Sequence, residues 1–508
     1  MRKLSYIPEP NILLGHGQKM PDPRDGLTLF GPLPSAIREI RSGVVATKEG
    51  YKYFQNFLKS IQSPVYNSNS ISRPFFPGFE AAFGCSWSPD HILFKEISQE
   101  KINEFLYVDS THVRTYDMVS LFIEPIVNSK KNDDENIDVW FIIVPDIIHK
   151  YCRPKSTIPK ELIKRRSLLS KAKAKIFSYT DYLFSDMRAE EDKKADEVKK
   201  YSYDAQFHDQ LKARLLPYSI PTQILRESKI AWRAFTDTRG KYLHDFSKIE
   251  GHQAWSISTA AYYKAGGKPW KLSDIRAGVC YLGLVYKQLS NTKDVRNACC
   301  AAQMFLDSGD GTIFRGEVGP WFNPETKEYH LQEREAKQLL TQALDSYRSI
   351  MNKAPAEIFI HAKTRFNEEE WAAFKSVTPS ETNIVGITIS NREPLKLYRK
   401  DGDYPIPRGM FHIINKWECL LWTTGYIPRL QTTSAMEIPR PIQIRIDKGV
   451  ADLKVVATDI LSLTKLNYNA CIYGDGIPVT LRFADKVGEI LTACPELKTP
   501  PLAFKYYI

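Results

Sequence analysis

Four polar side chains near the middle of the sequence have the types and the spacing to bind a phosphate group. His208 and Lys212 are four residues apart on a predicted helix, so both side chains leave the same face. Gln223 follows on a short predicted strand, and Lys264 closes a later helix before a glycine-rich turn. Cationic donors and an amide that converge from separate elements suit a dianionic phosphate. For each of the four residues taken alone, composition favours an ordinary surface residue.

An α/β layer is predicted around these four residues. A short apolar run over residues 137–146 indicates a buried strand, residues 203–216 have the spacing of an amphipathic helix, and residues 219–225 indicate another strand. Strands that alternate with helices favour a parallel sheet. The strongly charged residues 190–200 are predicted to form a loop.

Beyond the turn at residues 265–270 the pattern changes to consecutive strands. Three strands, a long helix and a further buried strand are predicted at residues 275–287, 295–307, 311–322, 331–352 and 356–363. More strands are predicted near residues 384–390, 410–416 and 442–446, and helices near 452–464 and 478–492. This is the order of an RNase H-like core, so we place a domain boundary near residues 265–275.

The chain has the composition of a soluble globular protein with more than one domain. It has 508 residues, of which 43% are hydrophobic and 25% are charged. The longest apolar run, Val139–Val144, is far shorter than the ~20 residues that cross a bilayer. No signal peptide is recognisable, and none of the eight cysteines lies in a CxxC pair. We therefore expect a cytoplasmic chain with reduced thiols and no membrane segment.

The net charge of the chain indicates which kind of partner it could bind. A net charge of +11, from 70 Lys and Arg against 59 acids, fits a nucleic-acid partner as well as it fits a merely soluble basic surface. Residues 150–175 carry ten Lys or Arg and one acid, Glu161, and form either a solvated helix face or a wall that faces phosphates. The sequence contains no phosphate-loop, dinucleotide-binding, zinc-protease or serine-hydrolase signature.

The four phosphate-binding candidates also follow the order of a known family. A [His/Tyr]xxxK pair, a Thr-Gln eleven residues later and the lysine of KxGGxPW resemble the MID domain of Argonaute proteins. The segments that resemble the second half of a PIWI domain are LLWTTGYIPRLQTT (420–433), EIPRPIQIRI (437–446), ILSLTKLNYN (460–469) and FADKVGEI (483–490). DPRDGLTLFGP (22–32) resembles the segment that precedes MID in many prokaryotic Argonautes.

The resemblance implies an α/β fold with a Rossmann-like MID domain followed by an RNase H-like PIWI domain. It implies a leader over residues 1–40, a MID domain over 41–268, with an insertion around 232–252, and a PIWI domain over 269–508. The chain has no room for separate N and PAZ domains, so it resembles the short prokaryotic Argonautes. Members of that group are usually encoded with a partner that carries an APAZ region fused to an effector domain.

The resemblance also assigns the candidate pocket. It implies that the 5′-phosphate of a short guide is bound by His208, Lys212, Gln223 and Lys264. His208 stands where most of the family has tyrosine, which exchanges a base-stacking phenol for an imidazole that can donate to phosphate. A Mg²⁺ ion at the first guide phosphates is implied, with the C-terminal carboxylate of Ile508 beside it.

The nuclease site of the family is degenerate in this sequence. A two-metal site needs several carboxylates around the scissile phosphate. Aligned on the family's motifs, Val285 and Lys363 hold two of the aspartate positions, and Asp485 alone is acidic. We therefore predict a PIWI domain that binds a duplex without cutting it. The alternative is a guided endonuclease with an unrecognised metal site.

The closest likeness is to short Argonautes paired with a TIR–APAZ protein. That likeness implies a guide RNA, a single-stranded DNA target and NAD hydrolysis by the partner once the target has paired. A sirtuin-like effector is the second candidate for the partner. Systems of this kind resemble bacterial defences against plasmids or phage.

Overall fold

The structure is a computed structural model of the whole chain. It describes residues 4–66, 72, 74–131, 136–177, 185–231, 233–243, 246–288, 296, 298–306, 311–391, 394–433, 437–497 and 503–508. Among these residues, no helix is both long and apolar enough to span a bilayer.

The first half of the chain alternates strands and helices. Its strands are β1 (Ser5–Tyr6), β2 (Ile12–Leu13), β3 (Lys19–Met20), β4 (Ser42–Ala46), β5 (Ile92–Glu96), β6 (Val139–Val144), β7 (Thr222–Arg226) and β8 (Lys271–Leu272). Its helices are α1 (Pro23–Phe30), α2 (Lys48–Ser60), α3 (Phe79–Phe83), α4 (Gln99–Leu106), α5 (Thr111–Lys131), α6 (Asp146–Tyr151), α7 (Lys171–Ile176), α8 (Ser185–Tyr201), α9 (Phe207–Leu215), α10 (Glu227–Ile230) and α11 (Phe246–Lys264).

The second half is built around consecutive strands. Its strands are β9 (Val279–Gln288), β10 (Ala298–Phe305), β11 (Gly311–Gly319), β12 (Phe322–Asn323), β13 (Glu328–Tyr329), β14 (Glu357–Ala362), β15 (Asn383–Ser390), β16 (Met410–Asn415), β17 (Glu418–Leu421), β18 (Tyr426–Ile427), β19 (Thr432–Thr433) and β20 (Ile442–Lys448). Its helices are α12 (Glu333–Met351), α13 (Glu368–Val377), α14 (Leu453–Leu463), α15 (Val479–Arg482) and α16 (Ala484–Ala493).

A four-stranded parallel sheet organises the first half, in the order β5-β4-β6-β7. All six residues of β6 are buried, because alternate side chains enter hydrophobic clusters on both faces of the sheet. Strands that are covered on both faces are typical of parallel sheets flanked by helices. The predicted Rossmann-like layer is therefore confirmed.

A nine-stranded mixed sheet organises the second half, in the order β1-β16-β17-β20-β15-β14-β9-β10-β11. β9, β10 and β11 are antiparallel neighbours, whereas β14 runs parallel to β9 and β15 runs parallel to β14. This confirms the predicted RNase H-like order. β1, from the start of the chain, pairs with β16 and so joins the same sheet.

The predicted loop at residues 190–200 is wrong, because these residues belong to α8. Lys194 lies 2.9 Å from Glu191 and 3.6 Å from Glu190, and Lys200 lies 3.1 Å from Asp196, at the three- and four-residue spacing of a helix. Tyr201 and Val198 pack with Val113 and Ala174. A charged sequence thus forms a helix through its own ion pairs and one small apolar contact.

Two other elements differ from prediction. The single helix predicted over residues 478–492 is two helices, α15 and α16, which are separated at Phe483 by a non-helical backbone. The basic residues 150–175 contain only the end of α6, a short 3₁₀ turn and α7, and so do not form one continuous helix face.

Candidate nucleic-acid interface

Three of the four predicted phosphate-binding residues converge on one largely buried site, which we call the pocket. Lys212 comes from α9, Gln223 from β7 and Lys264 from the last residue of α11. Lys264 Nζ donates a hydrogen bond to Gln223 Oε1. Lys212 Nζ donates to the main-chain oxygen of Thr222 at 2.6 Å and to that of Ile508 at 2.7 Å. Lys212 is 2% exposed and Lys264 is 1% exposed, so two lysine side chains share a pocket that water barely reaches.

Burial sets the electrostatics of this pocket. Burial, together with the nearby charge of Lys486, lowers the pKa of Lys212 to about 7. The pKa of Lys264 is held well below the ordinary lysine value by burial and by the charge of Lys212. Neither lysine has a side-chain carboxylate partner within the described ranges. The pocket therefore favours an anionic ligand, which would stabilise the charged forms of both lysines.

His208 lies on the same helix but on the rim of the pocket. Its side chain is about one-third exposed, and its Nδ1 lies 2.9 Å from Asp209 Oδ1. Burial lowers the pKa of His208, although the hydrogen bond to Asp209 opposes that shift. The bond to Asp209 holds the imidazole through Nδ1, which leaves Nε2 as the ring atom that can meet a ligand.

The last described segment of the chain reaches this pocket. A 3₁₀ turn over Phe504–Tyr506 precedes Ile508, which is 7% exposed. The oxygens at the pocket that accept from lysines are Gln223 Oε1 and the main-chain oxygens of Thr222 and Ile508. Mg²⁺ is held in proteins by few protein oxygens together with waters and ligand phosphates. These oxygens already accept hydrogen bonds from the two lysines. They could therefore contribute to a Mg²⁺ site only when ligand phosphates supply further oxygens.

A large groove of about 1780 Å³ runs beside the pocket. Its basic lining residues are Lys171, Lys175, Lys287, Arg315, Lys327, Lys363, Arg365, Arg445 and Lys486. Its acidic lining residues are Asp204, Asp209, Glu328, Glu418, Asp485 and Glu489. Of the ten cations predicted as a possible phosphate-facing wall over residues 150–175, Lys171 and Lys175 line this groove.

The three positions predicted from the sequence to be degenerate nuclease positions lie in or beside this groove. Val285 is in β9, opposite Ala301 of β10. His361 of β14 is level with Gly283 of β9, and Lys363 follows just beyond the end of β14. Lys363 Nζ lies 2.7 Å from Asp485 Oδ2 at the start of α16. The described residues contain no group of three or more His, Cys, Asp or Glu arranged to hold a metal ion.

One helix connects the pocket with the groove. α16 packs against both α9 and β9. Lys486 of α16 forms an ion pair with Asp209, the residue that bonds His208, and Glu489 lies 3.2 Å from Lys287 of β9. A change at the candidate pocket therefore has a direct packing and charge connection to the large sheet.

Sequence reasoning did not predict Asp209 and Lys486 as parts of the site. Each is adjacent to a predicted residue, His208 and Asp485 respectively. Their pairing joins the two halves of the chain, and no local pattern signals a contact over that separation. The same holds for the contact between Lys212 and Ile508.

No protein-family model matches the sequence, and no curated protein matches it. Solved structures do match its fold. They include Clostridium butyricum Argonaute bound to a guide DNA and a 19-mer target DNA, with a TM-score of 0.60, 14% identity, and coverage of 97% of this chain and 53% of that one. They also include Aa-Ago with externally bound siRNA, with a TM-score of 0.56, 15% identity, and coverage of 100% of this chain and 56% of that one.

The Argonaute of A. aeolicus matches as well, with a TM-score of 0.54, 14% identity, and coverage of 99% of this chain and 56% of that one. This chain thus spans just over half the length of the structures that it matches. Its mixed α/β architecture, with one parallel and one large mixed sheet, is the MID and PIWI fold of Argonaute proteins.

Proposed function

We propose that this chain binds the 5′-phosphate of a short guide and holds the guide, paired with a target strand, without cutting it. The observation that carries the proposal is the pocket in which Lys212 and Lys264 are both almost fully buried without a side-chain carboxylate partner in the described part of the chain, Lys212 donating instead to the main-chain oxygens of Thr222 and Ile508. A terminal phosphate carries close to two negative charges near neutral pH and would complement two ammoniums.

The position of the pocket supports a guide end as its ligand. His208 lies on the rim, and the helix that bears it packs against α16, which lines the groove through Lys486 and Glu489. A strand anchored by its terminal phosphate would thus begin at the pocket and continue along a groove rich in lysine and arginine. Of the fold neighbours, the Clostridium butyricum protein holds a guide DNA and a target DNA and the Aa-Ago protein binds siRNA.

The chemistry of the guide and target follows the family resemblance. We propose a guide RNA and a single-stranded DNA target, with base pairing supplying the sequence recognition. The groove would then contact the backbone of an A-form duplex, which a protein recognises by shape and by phosphate contacts. Nine basic side chains line the groove for those contacts.

The absence of cleavage is part of the proposal. Two-metal hydrolysis needs carboxylates that bridge both ions. The ammonium of Lys363, just beyond the end of β14, lies beside Asp485, and the neighbouring strand β9 carries Val285. This arrangement favours a binding role over the second candidate, a guided endonuclease. A Mg²⁺ ion is proposed only at the guide phosphates, near Gln223 and Ile508, where the bound guide supplies most of its oxygen ligands.

We further propose that target pairing activates a partner protein in the cytoplasm. The resemblance to short Argonautes points to a TIR–APAZ partner that hydrolyses NAD, with a sirtuin-like effector as the second candidate, in defence against plasmids or phage. α16 offers a physical connection for this signal, because it contacts both the helix of the guide pocket and the sheet that forms the groove floor.

The experiment combines retention of the target with activation of the partner. Chain loaded with 5′-phosphorylated guide RNA is expected to retain labelled complementary DNA intact and to release DNA that does not match the guide. NAD loss is expected only when partner, guide and matching target are all present. Equal retention of matching and mismatched DNA would contradict guided binding, and NAD loss from the isolated chain would contradict the partner model.

A further inference from the structure

A loop between β15 and β16 lies beside the groove on the same face of the large sheet. We name residues 394–406 the rim loop. Ser390 and Asn391, just before the loop, line the groove, as does Gln443 of β20. Gln443 is paired with Leu420 of β17, so the two side chains point to the same face. Leu420 packs beneath the rim loop. The loop therefore begins where the groove floor ends.

The rim loop is anchored at both ends. Leu397 and Ile406 pack with Leu420 and Trp422 in one small apolar cluster. Tyr404 stacks on Tyr426 with ring centroids 4.4 Å apart. These contacts hold the loop against the sheet, so the side chains between the anchors are presented by a supported segment.

An unsupported aromatic ring stands between these anchors. Tyr398 is 72% exposed, although the neighbouring Leu397 packs inward. Lys396, Arg399 and Lys400 surround it in sequence and form no ion pair within the described part of the chain. Asp401 and Asp403 come later in the loop. The three cations therefore lie in the earlier part of the loop, nearer in sequence to the residues that line the groove.

An exposed ring between cations matches the way proteins bind single-stranded nucleic acid. Bases stack on the ring, and the cations neutralise the backbone, without a requirement for sequence. Protein–protein interfaces are depleted in lysine, whereas two of the three cations around Tyr398 are lysines. The chemistry of the loop therefore favours nucleic acid.

We propose that the rim loop binds the unpaired part of a target strand where that strand leaves the groove, with a base stacked on Tyr398 and phosphates beside Lys396, Arg399 and Lys400. This inference rests on the proposed function, because it extends the path of the bound target. It adds a second contact that is independent of base pairing.

The test compares targets with and without unpaired extensions. The full chain, loaded with a phosphorylated guide, is titrated with a target that ends flush with the guide and with targets extended at either end. We expect one extension to tighten binding, and Tyr398→Ala to remove that gain, a loss of roughly fivefold or more. Tyr398→Phe should keep the gain, since the ring remains. Arg399→Gln with Lys400→Gln should make the gain less sensitive to salt.

A matched control and the flush target separate the possible outcomes. Tyr66→Ala removes a ring that is 74% exposed in the first half of the chain and should leave the gain unchanged. If neither extension tightens binding, or if Tyr398→Ala keeps the full gain, the rim loop does not bind the target and a protein partner becomes the occupant to test. If the flush target itself fails to bind the loaded wild-type chain, the proposed function is wrong, and this inference with it.

Discussion

The ammonium of Lys363 lies 2.7 Å from the carboxylate of Asp485, between the end of β14 and the start of α16. Both side chains are at least half exposed, so water screens the attraction and the pair contributes little to stability. The pair matters because it lies at a position where a nuclease of the Argonaute family would bind a metal ion. A metal ion at Asp485 would have to displace a cation that the protein itself supplies.

This pair leads to a prediction about cleavage. Guide-loaded chain, mixed with labelled complementary target and either magnesium or manganese, is expected to leave the target intact. Lys363→Ala should not create activity, since Val285 still supplies no carboxylate, and it should change the free energy of unfolding by less than about 1 kcal/mol. Gel analysis of the target and denaturant titrations measure the two effects. Guide-directed cuts that vanish in Asp485→Ala would contradict the binding-only role.

The lysines of α7 test the groove separately from the pocket. Lys171 and Lys175 line the groove, whereas Lys155 and Lys160, from the same basic stretch, do not. Replacing Lys171 and Lys175 with glutamine is expected to lower the affinity of the chain for phosphorylated and hydroxyl guides alike. The slope of log affinity against log salt should fall by roughly 1.4–1.8, because about two phosphate contacts are lost. Lys155→Gln with Lys160→Gln is the matched control. Equal effects of the two double variants would show that the groove does not hold the guide.

The buried lysine of α9 predicts a dependence on pH. The pKa of Lys212 is about 7 in the free chain against an ordinary 10.5, so between these values the folded chain binds fewer protons than the unfolded chain and this group makes stability rise with pH. A bound phosphate favours the charged lysine, so above about pH 7 binding takes up a proton.

Affinity for a phosphorylated guide should therefore fall as the pH rises above about 7, by up to roughly tenfold per pH unit for each proton taken up. The hydroxyl guide lacks the negative charge of the terminal phosphate and is the matched control. Its affinity should depend much less on pH. Titrations of both guides between pH 6.5 and 8.5 measure this difference. Parallel pH profiles for the two guides would contradict protonation of the pocket lysines on binding.

Much of the geometry of the candidate pocket could be predicted from local patterns. The helical spacing of His208 and Lys212 and the strand that carries Gln223 are visible over a few residues, and the structure places Lys212, Gln223 and Lys264 together. His208 lies on the rim instead, because Asp209 holds its ring. Many strands of both sheets were likewise predictable from short apolar runs such as β6, although β4 and β5 of the parallel sheet were not predicted.

The remaining features depend on contacts that local sequence does not encode. α8 looks like a loop by composition, and its helix is stabilised by ion pairs and by the packing of Val198 and Tyr201 on distant residues. The pairing of Lys486 with Asp209 joins the two halves of the chain. The groove takes its cations from many separate elements, so only the folded chain brings them to one surface.

The preference for a 5′-phosphate is the most direct test of the central claim. Lys212→Glu with Lys264→Glu reverses both buried charges, and loss of even one charge-assisted contact of ~1.5–3 kcal/mol should weaken guide binding roughly tenfold or more. The measurement is a pair of titrations, with phosphorylated and hydroxyl guides, on the wild-type chain and on this variant. Lys337→Glu, on the surface of α12, is the charge-matched control. The account predicts that the wild-type chain and the control prefer the phosphorylated guide and that the double variant does not. An unchanged preference in the double variant would contradict the assignment of this pocket.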